Sequence, residues 1–300
     1  MAAVSTILLV AVAFQVAELP EPVAEVVVAI LAVAAVASWV RLCIDPHVAR
    51  TGAGMALVYT RPGPDGSPVR VLRQGGVFQS ATYLDERRFE PVFAYQRAFE
   101  VVLGEGGPTP GSSRRVLAIG GGGFAWPKLA LTSHADLEMD VVEVDPAVVE
   151  VARRWFFLDK LEARAGSRLN VVVGDGRAFV EGPDAAPARY DAIVNDAFSG
   201  GEPVYALATV EAARAIKRRL VPDGVYAVNV VSRGGGADVT FLRDEVATLL
   251  QAFSHVHVLT VEDDDWAGED NYLVIATDGD AAYPDAIAFD EGFLGEPLWD

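Results

Sequence analysis

The residues with chemical reach in this 300-residue chain cluster between positions 120 and 196. Four consecutive glycines, Gly120 to Gly123, follow the apolar run "VLAI" and precede a segment of helical character. Glycine carries no side chain and adopts positive φ, so such a loop brings a ligand close to the backbone at a helix N-terminus. Three carboxylates follow, each closing an apolar, β-branched run: Glu143 in "MDVVEVD", Asp175 in "LNVVVGD" and Asp196 in "YDAIVND". Glu143 is placed to accept both hydroxyls of a ribose and Asp175 to meet the exocyclic amine of an adenine. Asp196 faces the crevice outside the strand ends, where ligands bind in open α/β sheets. One strand-end Asp alone is as often a helix cap, but three at successive strand ends beside a glycine loop describe a nucleoside site. The G-x-G-x-x-A pattern at Gly120, Gly122 and Ala125 by itself fits a nicotinamide or flavin fingerprint equally. A nucleoside-triphosphate loop is excluded, because no Gly-Lys-Ser/Thr follows.

The elements that must position these residues are legible from Arg114 onward. Strand-like runs ("RVLAIG", "MDVVEVD", "LNVVVGD", "YDAIVND", "GVYAVNVVS", "HVHVLTVE", "NYLVIATD") alternate with helical segments, notably 146–157, 203–219 and 237–252. That alternation predicts a mostly parallel sheet with helices on both faces. Only about ten residues, including "DDDWAGED", separate the last two strands, too few for a parallel crossover. The sheet therefore ends in an antiparallel pair, as in the S-adenosylmethionine-dependent transferase fold and unlike the all-parallel dinucleotide fold. Upstream, "GMALVYTR", "SPVRVLRQ" and "GVFQSATYL", with the turn "RPGPDGSP", predict a small antiparallel sheet. A helix from Pro91 to Leu103 and the linker "GEGGPTPGSSR" follow.

The N-terminus is different in kind. Residues 4–18 and 23–40 are apolar runs around "ELPEP", each near the lower length limit of about 17 residues for a membrane span. No Lys or Arg precedes the first, unlike a secretory signal. A helical hairpin anchored in the cell membrane is expected, with Arg41 and Arg50 keeping the remainder in the cytoplasm. The alternative is a pair of buried or oligomer-forming helices. Three regions result: the hairpin at 1–50, a small β-domain with helix and linker at 51–110, and a nucleoside-binding domain at 111–300.

Composition narrows the partners. With 42 acidic and 24 basic residues the net charge is −18, which repels nucleic acid and suits cationic ligands. Cys43 is the single cysteine, so neither an internal disulfide nor a cysteine-based metal site can form. His47, His134, His255 and His257 show no converging ligand spacing, and no metal is expected. Asp263, Asp264, Asp265, Glu269 and Asp270 read as a solvated hairpin that helps steer cations. Trp126 and Phe198 flank the presumed ligand loops and either stack on the ligand or pack in the core.

The run from "VLAIGGGG" through "VVEVDPAVVEVARRWF", "RLNVVVGDGRAFV", "YDAIVNDAFSGGEPVYALATVEA" and "RRLVPDGVYAVNVVS" resembles the polyamine aminopropyltransferases, the spermidine synthase family. It is most similar to the membrane-associated bacterial branch often called spermidine synthase-like. Upstream, "GGVFQ" resembles the family's small β-domain and "FAYQ" its substrate-contacting helix. The resemblance implies a Rossmann-like transferase fold that carries an aminopropyl group from decarboxylated S-adenosylmethionine to a small-molecule amine, and it leaves room for a homodimer. It assigns Asp196 as catalytic base with Tyr95 beside it. It gives Gln79, Gly120, Gly121, Gly122, Glu143, Asp175 and Gly176 to the nucleoside. Two positions depart from the family: Gly123 and Ser199 stand where carboxylates help hold a diamine. Gly123 makes room for the carboxylate of ordinary S-adenosylmethionine, so methyl transfer is the second reading. A non-catalytic, membrane-associated module binding a nucleoside or polyamine is the third.

Overall fold

Short runs of three or four Val, Ile, Leu and Ala residues, such as "VLAI", "VVV", "AIV" and "LVIA", suit strands covered on both sides, and such strands build the large sheet of this chain. The computed structural model describes residues 20–44, 47–104, 114–182, 189–199, 202–232, 238–261 and 270–300. The first apolar run, the hairpin it would form, the linker after Gly104 and the acidic residues 263–269 lie outside the described residues.

Helix α1 (Glu21–Ile44) comes first, followed by strands β1 (Val48–Thr51), β2 (Gly54–Pro62), β3 (Pro68–Gln74) and β4 (Val77–Tyr83). A short helix α2 (Ala94–Ala98) tightens into a 3₁₀ turn over Phe99–Leu103. Then β5 (Arg114–Ile119), α3 (Ala125–Ser133), β6 (Leu137–Glu143), α4 (Pro146–Trp155), α5 (Leu158–Ala165), β7 (Leu169–Val173) and α6 (Gly176–Glu181) alternate. The chain continues through β8 (Tyr190–Asn195), the two-residue strands β9 (Phe198–Ser199) and β10 (Glu202–Pro203), and α7 (Val210–Arg219). It ends with β11 (Leu220–Ser232), α8 (Thr240–Leu249), β12 (His255–Val261) and β13 (Asp270–Thr277).

The large sheet has the order β12-β13-β11-β8-β5-β6-β7. Its five strands from β11 to β7 are parallel, and β13 runs antiparallel between β11 and β12. The antiparallel ending expected from the short last connection is present, with the final strand inserted rather than added at the edge. Side chains alternate between two cores. Val116, Ala118, Ala192 and Val194 pack with Phe99, Trp126, Leu131 and Phe156 on one face. Leu117, Ile119, Ile193 and Tyr226 pack with Ile216, Leu242 and Val246 on the other. Burying both faces of the central strands removes the choice of register that a half-polar strand would leave open.

Helix boundaries depart from the sequence expectation where local chemistry intervenes. The helix expected over 146–157 ends at Trp155, because Phe157 takes a left-handed backbone (φ 62°) and restarts the chain as α5. The segment expected to be helical from 203 becomes β10 and a 3₁₀ turn, and α7 begins only where the Thr209 hydroxyl accepts the Ala212 N–H at 3.2 Å. The helix expected from Pro91 is confined to α2 and its 3₁₀ extension.

β1 to β4 form a separate four-stranded sheet in that order, with β2/β3 and β3/β4 antiparallel. The chain divides into two compact units at Val48/Ala49, and apart from Val48 at the start of β1 both sheets fall in the second. In the first, Pro22–Val40 has a mean hydropathy of 2.4 and none of it is buried. At 1.5 Å per residue its 19 residues span about 28 Å, close to a bilayer's hydrocarbon thickness.

Candidate functional site

The carboxyl ends of β5, β6, β7 and β8 meet along one edge of the large sheet. The chain steps from β5 outward to β7, then returns to β8 on β5's other side, so the strand order reverses between β5 and β8. Ligands bind at such reversals in open α/β sheets. A cavity of about 700 Å³ opens there, and all nine sequence-predicted site residues line it: Gln79, Tyr95, Gly120, Gly121, Gly122, Glu143, Asp175, Gly176 and Asp196.

The glycine loop crosses directly over the Asp196 turn. Gly120 has φ 94°, and a Cβ there would lie 2.5 Å from the backbone carbonyl oxygen of Asp196, so no other residue fits. Glu143, 7% exposed, holds the loop's next two residues. Its Oε2 accepts from the Gly121 N–H at 2.9 Å and the Gly122 N–H at 3.0 Å, and Oε1 accepts from the Asp145 N–H at 3.0 Å. Two of the loop's N–H donors, those of Gly121 and Gly122, are therefore already paired with a carboxylate, whose charge would repel a dinucleotide's pyrophosphate. This removes the nicotinamide and flavin readings of the G-x-G-x-x-A pattern. It also adds a role the sequence reading of Glu143 did not include: the carboxylate expected to face the ribose organises the loop first.

Asp175 and Asp145 both cap helices. Asp175 Oδ1 accepts from Ala178 N–H at 2.7 Å at the start of α6. Asp145 Oδ1 accepts from Ala147 N–H at 2.9 Å at the start of α4, and its Oδ2 accepts from the Gly52 N–H next to β1. A cap uses one oxygen, so Asp175 retains acceptor capacity toward the cavity it lines.

Asp196 is held differently. Its carboxyl accepts the Asn229 amide N–H at 3.0 Å and hydrogen bonds from the Tyr95 and Gln96 side chains. Although the residue as a whole is half-buried, the carboxyl group is enclosed. Enclosure raises its pKa from the usual carboxylate range to about 7, against the three hydrogen bonds that favour the ionised form. Tyr95 stacks on Phe93 at 5.8 Å and meets Phe99 edge-on at 6.0 Å, which fixes the ring beside Asp196.

Gly123 does not open space for a ligand carboxylate. A Cβ there would lie 2.3 Å from Ser80 Oγ and 3.0 Å from the Phe156 ring, so β4 and the end of α4 already fill the place. Nearby, buried Lys128 of α3 donates to Thr82 Oγ1 and to the Phe156 carbonyl, both at 3.0 Å, tying the glycine-loop helix to the small sheet. Of the two readings given for Trp126 and Phe198, Trp126 takes the packing one: it is buried against Phe99 at 5.6 Å, donates to Glu100 at 2.9 Å and does not line the cavity, whereas Phe198 does. The sequence reading missed Asn229, Gln96 and Asp145. Asn229 carried a signal, a lone amide inside the apolar run "YAVNVV". Among the described residues no group of three or more His, Cys, Asp or Glu side chains is placed to hold a metal ion.

A seven-stranded sheet with this reversal, a glycine loop and acids at successive strand ends defines a nucleoside-binding α/β transferase fold. Residues 93–256 match the family model for the spermine/spermidine synthase domain, and the chain belongs to that family. It is 30% identical over 198 residues to a polyamine aminopropyltransferase of Mycobacterium tuberculosis, covering 64% of this chain and 34% of that protein. Over 146 residues it is 32% identical to an N-terminal histidine N-methyltransferase of Emericella nidulans, covering 47% of this chain and 25% of that one. The chain spans 34% to 38% of the length of the first polyamine aminopropyltransferases it matches. A probable spermidine synthase from Corynebacterium glutamicum shares the fold, with a TM-score of 0.59 at 22% identity over 75% of this chain and 77% of that one.

The enclosed Asp196 has a consequence for stability. The folded chain keeps a proton on it up to about pH 7, while an unfolded Asp loses its proton near pH 4, so this group lowers stability as pH rises between those values. Asp196→Asn, which cannot ionise, is expected to melt higher than the parent by a margin that grows from pH 5 to pH 8. Parallel melting curves of the two proteins across that range check this, and a constant margin would show that the carboxyl is not held protonated.

Proposed function

We propose that this chain transfers an aminopropyl group from decarboxylated S-adenosylmethionine to a small-molecule amine, with Asp196 as proton acceptor. The observation that carries the reading is the charge of the cavity. Its described lining includes Glu143, Asp145, Asp175 and Asp196 and no Lys, Arg or His. Such a site attracts a sulfonium and an ammonium together and repels phosphates.

Each lining group has a task in this reading. Glu143 and Asp175 hold the ribose and adenine, and Gly120 to Gly122 with Gly176 let the nucleoside lie against the backbone. Gln79 and Tyr95 bound the site from the small sheet and α2. The acceptor enters protonated, since alkylamines have pKa values near that of lysine, about 10.4. Asp196 takes that proton, and the freed nitrogen lone pair attacks the aminopropyl carbon next to sulfur. As the C–N bond forms the C–S bond breaks, and its electron pair stays on sulfur, giving neutral methylthioadenosine. A base with a pKa near the working pH is suited to this exchange. Asp196 is also the cavity carboxylate whose hydrogen-bond donors are all side chains, which leaves it free of capping duty.

Methyl transfer from ordinary S-adenosylmethionine fits less well. Its carboxylate would enter an acid-lined cavity, and the space at Gly123 is occupied by Ser80 and Phe156. Decarboxylated S-adenosylmethionine is therefore expected to bind more tightly than the ordinary form, and an assay with both donors and a panel of amines tests the choice. Formation of methylated product with no methylthioadenosine would reverse it.

Two variants test the roles. Glu143→Gln removes the charge that holds the loop and the ribose, with each charge-assisted hydrogen bond worth about 1.5–3 kcal/mol, so methylthioadenosine should bind at least about tenfold more weakly by calorimetry. Asp196→Asn should retain nucleoside binding and lose about a hundredfold or more in transfer rate, with partial recovery at high pH where solvent deprotonates the amine.

We also assign α1 to a membrane, with Arg41 and Arg50 on the cytoplasmic side, because Pro22–Val40 has the length and hydropathy of a span. The full chain is expected to resist carbonate extraction from membranes, and a chain starting near Thr51 to stay in the supernatant. Recovery of the full chain without detergent would return α1 to a packing role.

A further inference from the structure

Behind the cavity wall, on the sheet face covered by α7 and α8, three polar side chains sit in an otherwise apolar core. Asn195 ends β8, Tyr226 lies on the neighbouring β11 and Glu245 belongs to α8; they are 6%, 1% and 1% exposed. Asn195 connects them to the site. Its Oδ1 accepts from the Ala197 N–H at 3.2 Å, closing a turn around Asp196, and its Nδ2 donates to the Tyr226 hydroxyl at 3.0 Å. Because that hydroxyl oxygen accepts from Asn195, its own proton must point elsewhere. Glu245 interacts electrostatically with Tyr226, and its Oε2 is buried without a hydrogen-bond partner. A void of about 10 Å³, the scale of one water, is lined by Asn195, Ala197 and Glu245 together. Three of its lining residues, Ala197, Val204 and Asn229, also line the cavity, so the void sits directly behind the Asp196 turn.

A carboxyl group in an apolar core is destabilising unless it is paired, and a leucine at this place on α8 would avoid the penalty. We propose that Glu245 is a positioning residue for Asp196. Its carboxyl accepts the Tyr226 hydroxyl proton, directly or through one water in the void, and so holds Tyr226 as acceptor for the Asn195 amide. With its NH₂ end committed to Tyr226, Asn195 keeps its carbonyl end on the Ala197 N–H, and the turn that presents Asp196 cannot relax. Burial raises the pKa of Glu245 to about 8, so at neutral pH it is an uncharged acid that still offers an acceptor oxygen and adds no repulsion to the Asp196 carboxylate. The inference rests on Asp196 being the proton acceptor.

Two variants of the full chain test it. Glu245→Leu removes the acceptor and Glu245→Gln keeps one. Losing one buried hydrogen bond should raise amide hydrogen exchange at Ala197 by about tenfold in Glu245→Leu, while amides of β5 and β6 keep their protection and Glu245→Gln stays within about twofold of the parent. In the transfer assay Glu245→Leu should lower kcat by about tenfold with the nucleoside KM unchanged, and Glu245→Gln should restore it, a split that simple loss of packing does not produce. If Glu245→Leu does not fold, Tyr226→Phe breaks the same chain one step closer to Asn195 and should give the same exchange at Ala197. Unchanged exchange at Ala197 in the folded variants would overturn the proposal. Faster exchange in a chain whose parent shows no transfer would uphold the positioning of the Asp196 turn and overturn the assigned reaction instead.

Discussion

The site depends on one interaction: a buried carboxylate, Glu143, gripping a glycine loop by its backbone N–H groups. Those contacts settle two things at once. They fix the loop against β6, where Gly120 has no room for a side chain over the Asp196 carbonyl, so the loop and the Asp196 turn can exist only in register with each other. They also occupy the positive ends of the Gly121 and Gly122 amide dipoles. A glycine loop opening a helix is ordinarily an anion site. Here the protein supplies the anion itself, and the cavity beyond it faces a ligand with carboxylates.

Four acids in one cavity would repel one another if all were equally placed. They are not. Glu143, Asp145 and Asp175 each accept backbone N–H bonds at strand ends and helix starts, where partial positive charge is fixed and adjacent. Asp196 has only neutral side-chain donors, and its carboxyl is enclosed. The different surroundings set apart one enclosed acid, whose donors are all side chains, from three whose oxygens hold backbone amides. In the proposed reaction, proton transfer and cation attraction are thereby divided between different residues.

How much of this was legible in the sequence follows from the range of the interactions involved. Strands such as "LNVVVGD" and "YDAIVND" announced themselves because their centres are apolar on both faces, and their terminal acids were found by position alone. The antiparallel ending followed from a connection too short to cross over, but the insertion of β13 between β11 and β12 did not, since pairing order carries no local signal. Gly123 was misread for the same reason: what fills its space is Ser80, on a strand of the other sheet. Trp126 stood next to the ligand loop in sequence yet faces the core, because α3 turns it toward Phe99. Asn195 and Tyr226 were hidden inside strand runs, and the meaning of their polarity emerges only when β8 and β11 lie side by side.

The acid-lined cavity also gives the proposed reaction a direction. The donor enters as a sulfonium and leaves as a thioether, so the nucleoside loses its positive charge at the moment of transfer. The site that attracted it by charge then holds it by hydrogen bonds and packing alone. The transferred group, in contrast, carries the cationic amines into the product, and Asp196, protonated by the acceptor, no longer offers the charge that drew that acceptor in. The nucleoside product is therefore held less tightly by these carboxylates than the sulfonium donor was. In the proposed reaction Asp196 is ionised before the acceptor enters and neutral once the proton has moved. A base with a pKa near 7 meets both conditions, where an ordinary aspartate near 4 would remain charged throughout and retain the polyamine it had helped to form.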